Sequence, residues 1–191
     1  MWRCSRALSV LLSVVVFCSV SSAQPCGQTS TVAGQNTIAG VADGSGTAAQ
    51  FNNPYEVIFG QGVQSSLLYI FEQQGCRLRV LNVSSGAVSS LAGSLANVAG
   101  EIDGVGSDAR FWNPDGAALD GTLGAAGTLY ATTQLGTRLR RVDIATATVT
   151  SVVGSAAGSN ADGIGTAASV NTIRGAAVNA NMLYFTAFSQ C

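Results

Sequence analysis

Short apolar runs recur along this chain, each broken by a cluster of Gly, Asn and Ser, and inside the runs the apolar positions alternate. Leu68 and Ile70, then Leu78 and Val80, are each separated by one residue facing the other way, which is the period of a strand and not of a helix. No stretch after residue 23 carries a convincing amphipathic helical pattern; the alanines of the segment Gly46–Phe51 allow a single turn. The pattern predicts four strands in one unit, at about Tyr55–Phe59, Leu67–Phe71, Arg77–Leu81 and Ala87–Leu91. It predicts four more at about Gly116–Leu119, Thr128–Thr132, Arg138–Asp143 and Thr148–Val153. A strand at about Thr29–Val32 precedes the first unit, and an inner strand at about Gly175–Asn179 belongs to a third.

The units are copies of one another. ADGSGTAAQFNNP from Ala42, IDGVGSDARFWNP from Ile102 and ADGIGTAASVNTI from Ala161 align, which places Asp43, Asp103 and Asp162 at intervals of 60 and then 59 residues. Each loop is preceded by a short β-branched or small run ending in glycine, at Gly34, Gly93 and Gly154. Each is followed by a Leu-Tyr strand: LLYIFEQQGCRLRVLNV from Leu67, TLYATTQLGTRLRRVDI from Thr128 and MLYFTAFSQC from Met182. Three markers in one order, three times, are the mark of a repeat architecture. The repeats run over about 29–93, 94–154 and 155–191, the last truncated, within a single region spanning 24–191.

These units resemble NHL repeats, over about Thr29 to Tyr184. The resemblance is carried by the glycine-ended outer strand, the Asp-Gly-x-Gly loop, the Phe-Asn-x-Pro segment (Phe51 to Pro54, with Trp112 in the second place of Phe111 to Pro114), and the Leu-Tyr strand followed by an arginine-rich one. It implies an all-β fold of β-propeller blades, each of four antiparallel strands. WD repeats run about 40 to 45 residues with a Gly-His signature, and this chain has no histidine. The third unit departs from the pattern: Val170 stands where Phe51 and Phe111 stand, and Arg174 is read in place of Pro54 and Pro114. Closed rings hold about 4 to 8 blades, so roughly three predict an open or incomplete propeller, a fragment of a longer protein. The alternatives are an N-terminal strand that patches the third blade, or two chains closing one ring as a homodimer.

The motif residues read as architecture. Asp43-Gly44, Asp103-Gly104 and Asp162-Gly163 suit tight loops, because glycine tolerates positive φ and aspartate accepts from nearby amides. Phe51 and Phe111 are expected wedges between blades, each burying apolar area worth about 2 to 3 kcal/mol. Pro54 and Pro114 fix the approach to the innermost strand without taking a ladder hydrogen bond. The spacing Gly44-x-Gly46-x-x-Ala49 and its two copies match a loose dinucleotide fingerprint, but that motif needs a helix after the loop. Each loop has too few carboxylates for calcium, and no cofactor or metal is expected. Arg77 and Arg79, like Arg138 and Arg140, stand two apart on a strand and share a face. Their expected partners are repeat carboxylates such as Asp103, Asp108 or Asp143 between blades; the functional alternative is an anion-binding ladder.

Residues 1–23 read as a signal peptide. Arg3 and Arg6 precede an uncharged apolar stretch from Ala7 to Val20, shorter than the roughly 20 residues a bilayer needs, and Ser21-Ser22-Ala23 suits a cut after Ala23. The expected location is secreted or cell-surface, with membrane attachment only through an anchor outside this chain. Every base is an arginine; after the leader seven remain against ten acids, a net charge of about −3, which excludes a nucleic-acid footprint. Cys26, Cys76 and Cys191 remain as disulfide candidates of unassigned pairing. Asn82-Val83-Ser84 is a candidate glycosylation sequon.

Catalysis has little support, because the chain has no histidine and no Gly-x-Ser-x-Gly elbow. The expected function is an extracellular binding or scaffold module for protein or glycan contact. The alternative is part of a propeller-type hydrolase or lyase with its catalytic residues in other blades. Loops joining outer to inner strands and second to third strands share one face of each blade. The candidate binding face therefore carries Glu72, Gln73, Gln74, Thr133 and Gln134, read as polar, solvent-facing residues.

Overall fold

The computed structural model describes residues 14–18, 29–121, 127–155, 159–179 and 182–188. The charged start of the expected leader, the expected cut after Ala23, Cys26 and Cys191 lie outside these residues.

Alternation of side chains builds two antiparallel five-stranded sheets. In the first, β4 (Pro54–Phe59), β5 (Leu67–Glu72), β6 (Arg77–Asn82) and β7 (Ala87–Gly93) form a meander from the inside outwards, and β3 (Gly44–Ser45) adds to the free edge of β7. The second repeats this with β9 (Pro114–Asp120), β10 (Thr128–Thr133), β11 (Leu139–Asp143), β12 (Thr148–Val153) and an outermost β8 (Gly104–Val105). Among the described residues the third unit is a two-stranded sheet, β13 (Ile173–Asn179) with β14 (Met182–Ala187). At the other end β2 (Thr29–Gly34) pairs with β1 (Val14–Cys18), a segment inside the expected leader.

Each predicted strand is present within one or two residues of its expected bounds. The alanines of each loop form a short 3-10 turn, at Gly46–Ala48, Gly106–Asp108 and Gly165–Ala167. One reading is corrected. β4 and β9 begin at their prolines while β13 begins at Ile173, so Ile173 takes the proline place and Arg174 falls one residue later, level with Tyr55 and Asp115. The fifth strands were not legible, because a two-residue bridge has no periodicity.

The residues before the innermost strands explain why the motif takes the form it does. Asn53, Asn113 and Thr172 have φ of 54°, 51° and 44°, a left-handed conformation that asparagine tolerates and a β-branched residue resists. The glycine ending each outer strand is held at φ of 94°, 108° and 97° for Gly34, Gly93 and Gly154. At Gly93 a Cβ would also lie 2.6 Å from the Cα of Arg77 and the carbonyl oxygen of Cys76.

The core lies between the sheets. Tyr69, Phe71 and Leu78 of the first sheet meet Phe111, Leu129 and Val149 of the second unit, so Phe111 is the wedge its position suggested. Phe51 plays the same part on the outer side, with Ala33 of β2 against Leu68, Ile70 and Leu81. Leu139, Val170 and Ile173 join the second sheet to the third, smaller one. β4 packs on β9 and β9 on β13, which lines up the innermost strands. The described residues thus form two full blades and part of a third in an open arc, without a closed ring.

Candidate binding face

The hairpins between second and third strands fold back to the start of the innermost strand. Gln73, Gln134 and Phe188 donate their backbone N–H groups to the carbonyls of Asn53, Asn113 and Thr172, at 3.0, 2.9 and 2.9 Å. These three residues are equivalents, four positions after Tyr69, Tyr130 and Tyr184. Phe188 was missed by sequence reasoning because no polar residue marks it, although the count from the Leu-Tyr pair would have found it.

Of the expected face residues, Gln74 is exposed and Gln134 half-buried, whereas Glu72, Gln73 and Thr133 are buried. Glu72 is a correction in kind. Its carboxylate accepts from Arg77 Nε at 2.6 Å, from Arg79 Nη1 at 3.2 Å and from the Asn52 amide at 2.9 Å. A fully buried carboxylate persists only with such partners, so Glu72 ties the hairpin to the sheet. Gln73 Oε1 accepts from Asn53 Nδ2 at 3.2 Å. Gln73 Nε2 and Thr133 Oγ1 are buried without a hydrogen-bond partner among the described residues.

Repeat carboxylates do hold arginines, Asp103 taking Arg140 as expected and Asp143 lying 3.9 Å from Arg141. These pairs lie within a blade and not between blades, which corrects the expected placement. Arg77, Arg79 and Arg140 are buried and present no anion-binding ladder. Arg79 Nη2 meets Asp43 Oδ1 at 2.7 Å and the Ala42 carbonyl at 3.0 Å, and its guanidinium lies 5.3 Å from the Phe51 ring centroid. Arg140 repeats this with Asp103 at 2.7 Å, the Ile102 carbonyl at 2.8 Å and Phe111 at 5.5 Å. Each aspartate also binds the outer strand: Asp43 accepts from the amide and hydroxyl of Ser90, and Asp103 from those of Ser151. Asp43 and Asp103 are therefore occupied by protein donors. Arg138 Nη1 donates to the Glu101 carbonyl, and Asp108 sits in a 3-10 turn.

Burial would raise the pKa of Asp103, but the Ser151 donors and then the Arg140 cation hold it below the usual carboxylate range. Asp115 goes the other way: burial pushes its carboxyl up, against the Thr132 hydroxyl and Arg174. Thr132 Oγ1 donates to it at 3.1 Å, and Arg174 Nη1 stands 3.6 Å away. Glu56 is raised by burial and by the charge of Asp115. Tyr55, Asp115 and Arg174 thus form a row across the starts of the three innermost strands.

Beside that row lies a cavity of about 530 Å3 lined by Gln134, Leu135, Asn171, Thr172, Arg174 and Phe188. Four of its lining side chains, Gln134, Asn171, Thr172 and Arg174, are polar or cationic, and Phe188 supplies an aromatic one. Cys76 is a free, buried thiol among the described residues, 4% exposed, donating to the Gln73 carbonyl at 3.6 Å; the other two disulfide candidates, Cys26 and Cys191, lie outside those residues. Burial pushes its thiol pKa up. Asn82 lies at the opposite end of the blade, where its Oδ1 accepts from the amides of Ser84 and Ser85 in an exposed turn.

No family model matches the chain, and no curated protein matches it. Solved structures do. An auxiliary nutrient binding protein from Bacteroides thetaiotaomicron superposes with a TM-score of 0.61 at 13% identity, covering 80% of this chain and 35% of its own. One from Bacteroides ovatus gives 0.56 at 15% identity, covering 68% and 33%. A protein of unknown function from Bacteroides thetaiotaomicron gives 0.55 at 24% identity, covering 65% and 30%. The chain spans about a third of the length of these larger structures, and what they share with it is the fold.

Proposed function

We propose that this chain is a set of NHL-type propeller blades, exported by the secretory route to the outside or surface of the cell, and that it binds a partner through the loop face. The cavity beside Gln134 carries the reading. Amides at Gln134 and Asn171, a hydroxyl at Thr172, a guanidinium at Arg174 and a ring at Phe188 are the donors, acceptors and stacking surface that a glycan takes. The fold shared with parts of the two auxiliary nutrient binding proteins supports a binding role. Against catalysis by these blades, Glu72, Asp43 and Asp103 are held in ion pairs with Arg77, Arg79 and Arg140.

The test is a titration of the chain against a panel of neutral and acidic oligosaccharides. We expect at least one saturable ligand, weakened about tenfold or more by Phe188→Ala and by Arg174→Ala. Absence of any saturable oligosaccharide, or a ligand indifferent to both substitutions, removes the reading.

A further inference from the structure

The two complete blades show what the Asp-Gly loop is built to hold. In each, the aspartate binds an arginine of the third strand and, on the fourth, a serine eleven residues later: Arg79 and Ser90 for Asp43, Arg140 and Ser151 for Asp103. The second loop glycine donates its N–H to the turn between those strands, Gly46 to the Gly86 carbonyl at 3.0 Å and Gly106 to the Ala147 carbonyl at 2.9 Å. Both acceptors stand seven residues after the arginine. The residues between, Gly44–Ser45 and Gly104–Val105, pair with the fourth strand.

In the third unit each of these groups is present and, among the described residues, lacks its counterpart. Asp162 has no hydrogen bond or ion pair, the Gly165 N–H has no acceptor, and Ile164 is 92% exposed on a segment paired with no strand. Among the described residues β14 pairs with β13 alone. Between them opens a groove of about 660 Å3 walled by Val153, Val170 and Phe185, with Asp162 on its side. Val170 supplies no ring for a guanidinium, so Asp162 carries the charge recognition alone.

We infer that this groove is a seat for an arginine-bearing β-hairpin of the repeat's own form, bound by strand addition to β14. Charge complementarity to Asp162 and continuity with the bonding of two intact blades define the occupant: arginine, a turn carbonyl seven residues on and serine at eleven. Main-chain pairing supplies affinity and the arginine supplies selection. The inference rests on the repeat and not on the loop-face ligand, so loss of oligosaccharide binding leaves hairpin capture untouched and the two failures are distinguishable.

The probe is a fluorescent synthetic peptide of residues 77–93, added to the full chain and followed by anisotropy. Saturable one-to-one binding is expected, weakened tenfold or more by Asp162→Asn in the chain. Replacing the arginine at position 79 of the peptide by Gln leaves the chain's folding untouched and has a similar effect, and the two changes together lose no more than either alone. Binding indifferent to both changes, or no saturable binding, overturns the inference. So does a chain dimer by light scattering that the peptide fails to dissociate, since a second copy then holds the seat.

Discussion

Arg140 is fully buried beneath Phe111 and donates to the carbonyls of Arg110 and Ile102 as well as to Asp103. Arg140→Met leaves the two carbonyls and the half-exposed Asp103 without their donor, and urea unfolding should show a loss of roughly 2 to 3 kcal/mol. The two shifted aspartates act oppositely with pH. Asp103 is depressed in the fold, so its contribution is present above the ordinary carboxylate pKa and is lost as pH falls through its lower folded value. Asp103→Asn should therefore flatten the acid side of the stability profile. Asp115 is raised, so its contribution is full below the ordinary value and is lost as pH rises through the folded one. Asp115→Asn should accordingly raise stability at neutral pH and leave it unchanged near pH 3, read as unfolding midpoints across a pH series. The residue types of these networks were visible in the sequence, but Glu72 was read as a solvent-facing acid. Nothing local distinguishes a hairpin glutamate in water from one folded under two guanidinium groups.

At the level of the single strand and loop, the repeat can be tested against itself. Thr172 holds the left-handed conformation that Asn53 and Asn113 take in the other units. Thr172→Asn should therefore raise stability by about 0.5 to 1 kcal/mol in urea unfolding. Gly93→Ala combines positive φ with a clash against the third strand, and a loss of about 1 to 3 kcal/mol is expected from the strain alone. Strand bounds were legible because alternation and Gly-Asn-Ser breaks are written in consecutive residues. The fifth strands β3 and β8 and the register of Ile173 were not, since each is defined by a partner about 40 residues or more away in the chain for β3 and β8, or by comparison of three strand starts.

Across the whole arc, equivalent positions have different fates according to what lies beside them. Tyr55, Val57 and Phe59 form a stripe on β4, 58%, 49% and 48% exposed, while Ala117 and Leu119, their counterparts on β9, pack against the first sheet. Leu119→Ala should cost about 2 kcal/mol, whereas Val57→Thr with Phe59→Ser should stay within about 0.5 kcal/mol each, both measured by urea unfolding. The letters of the chain were sufficient for strand type, loop position, blade period and the tight turns, because these depend on neighbours a few residues apart and on the steric limits of each residue. They were not sufficient to say which carboxylate meets which arginine, which hairpin residues face water, or that Asp162 stands beside a strand, β14, with one edge unpaired among the described residues. Those outcomes are set by segments distant in sequence, whose approach decides desolvation and hydrogen bonding, and only the folded arrangement supplies that.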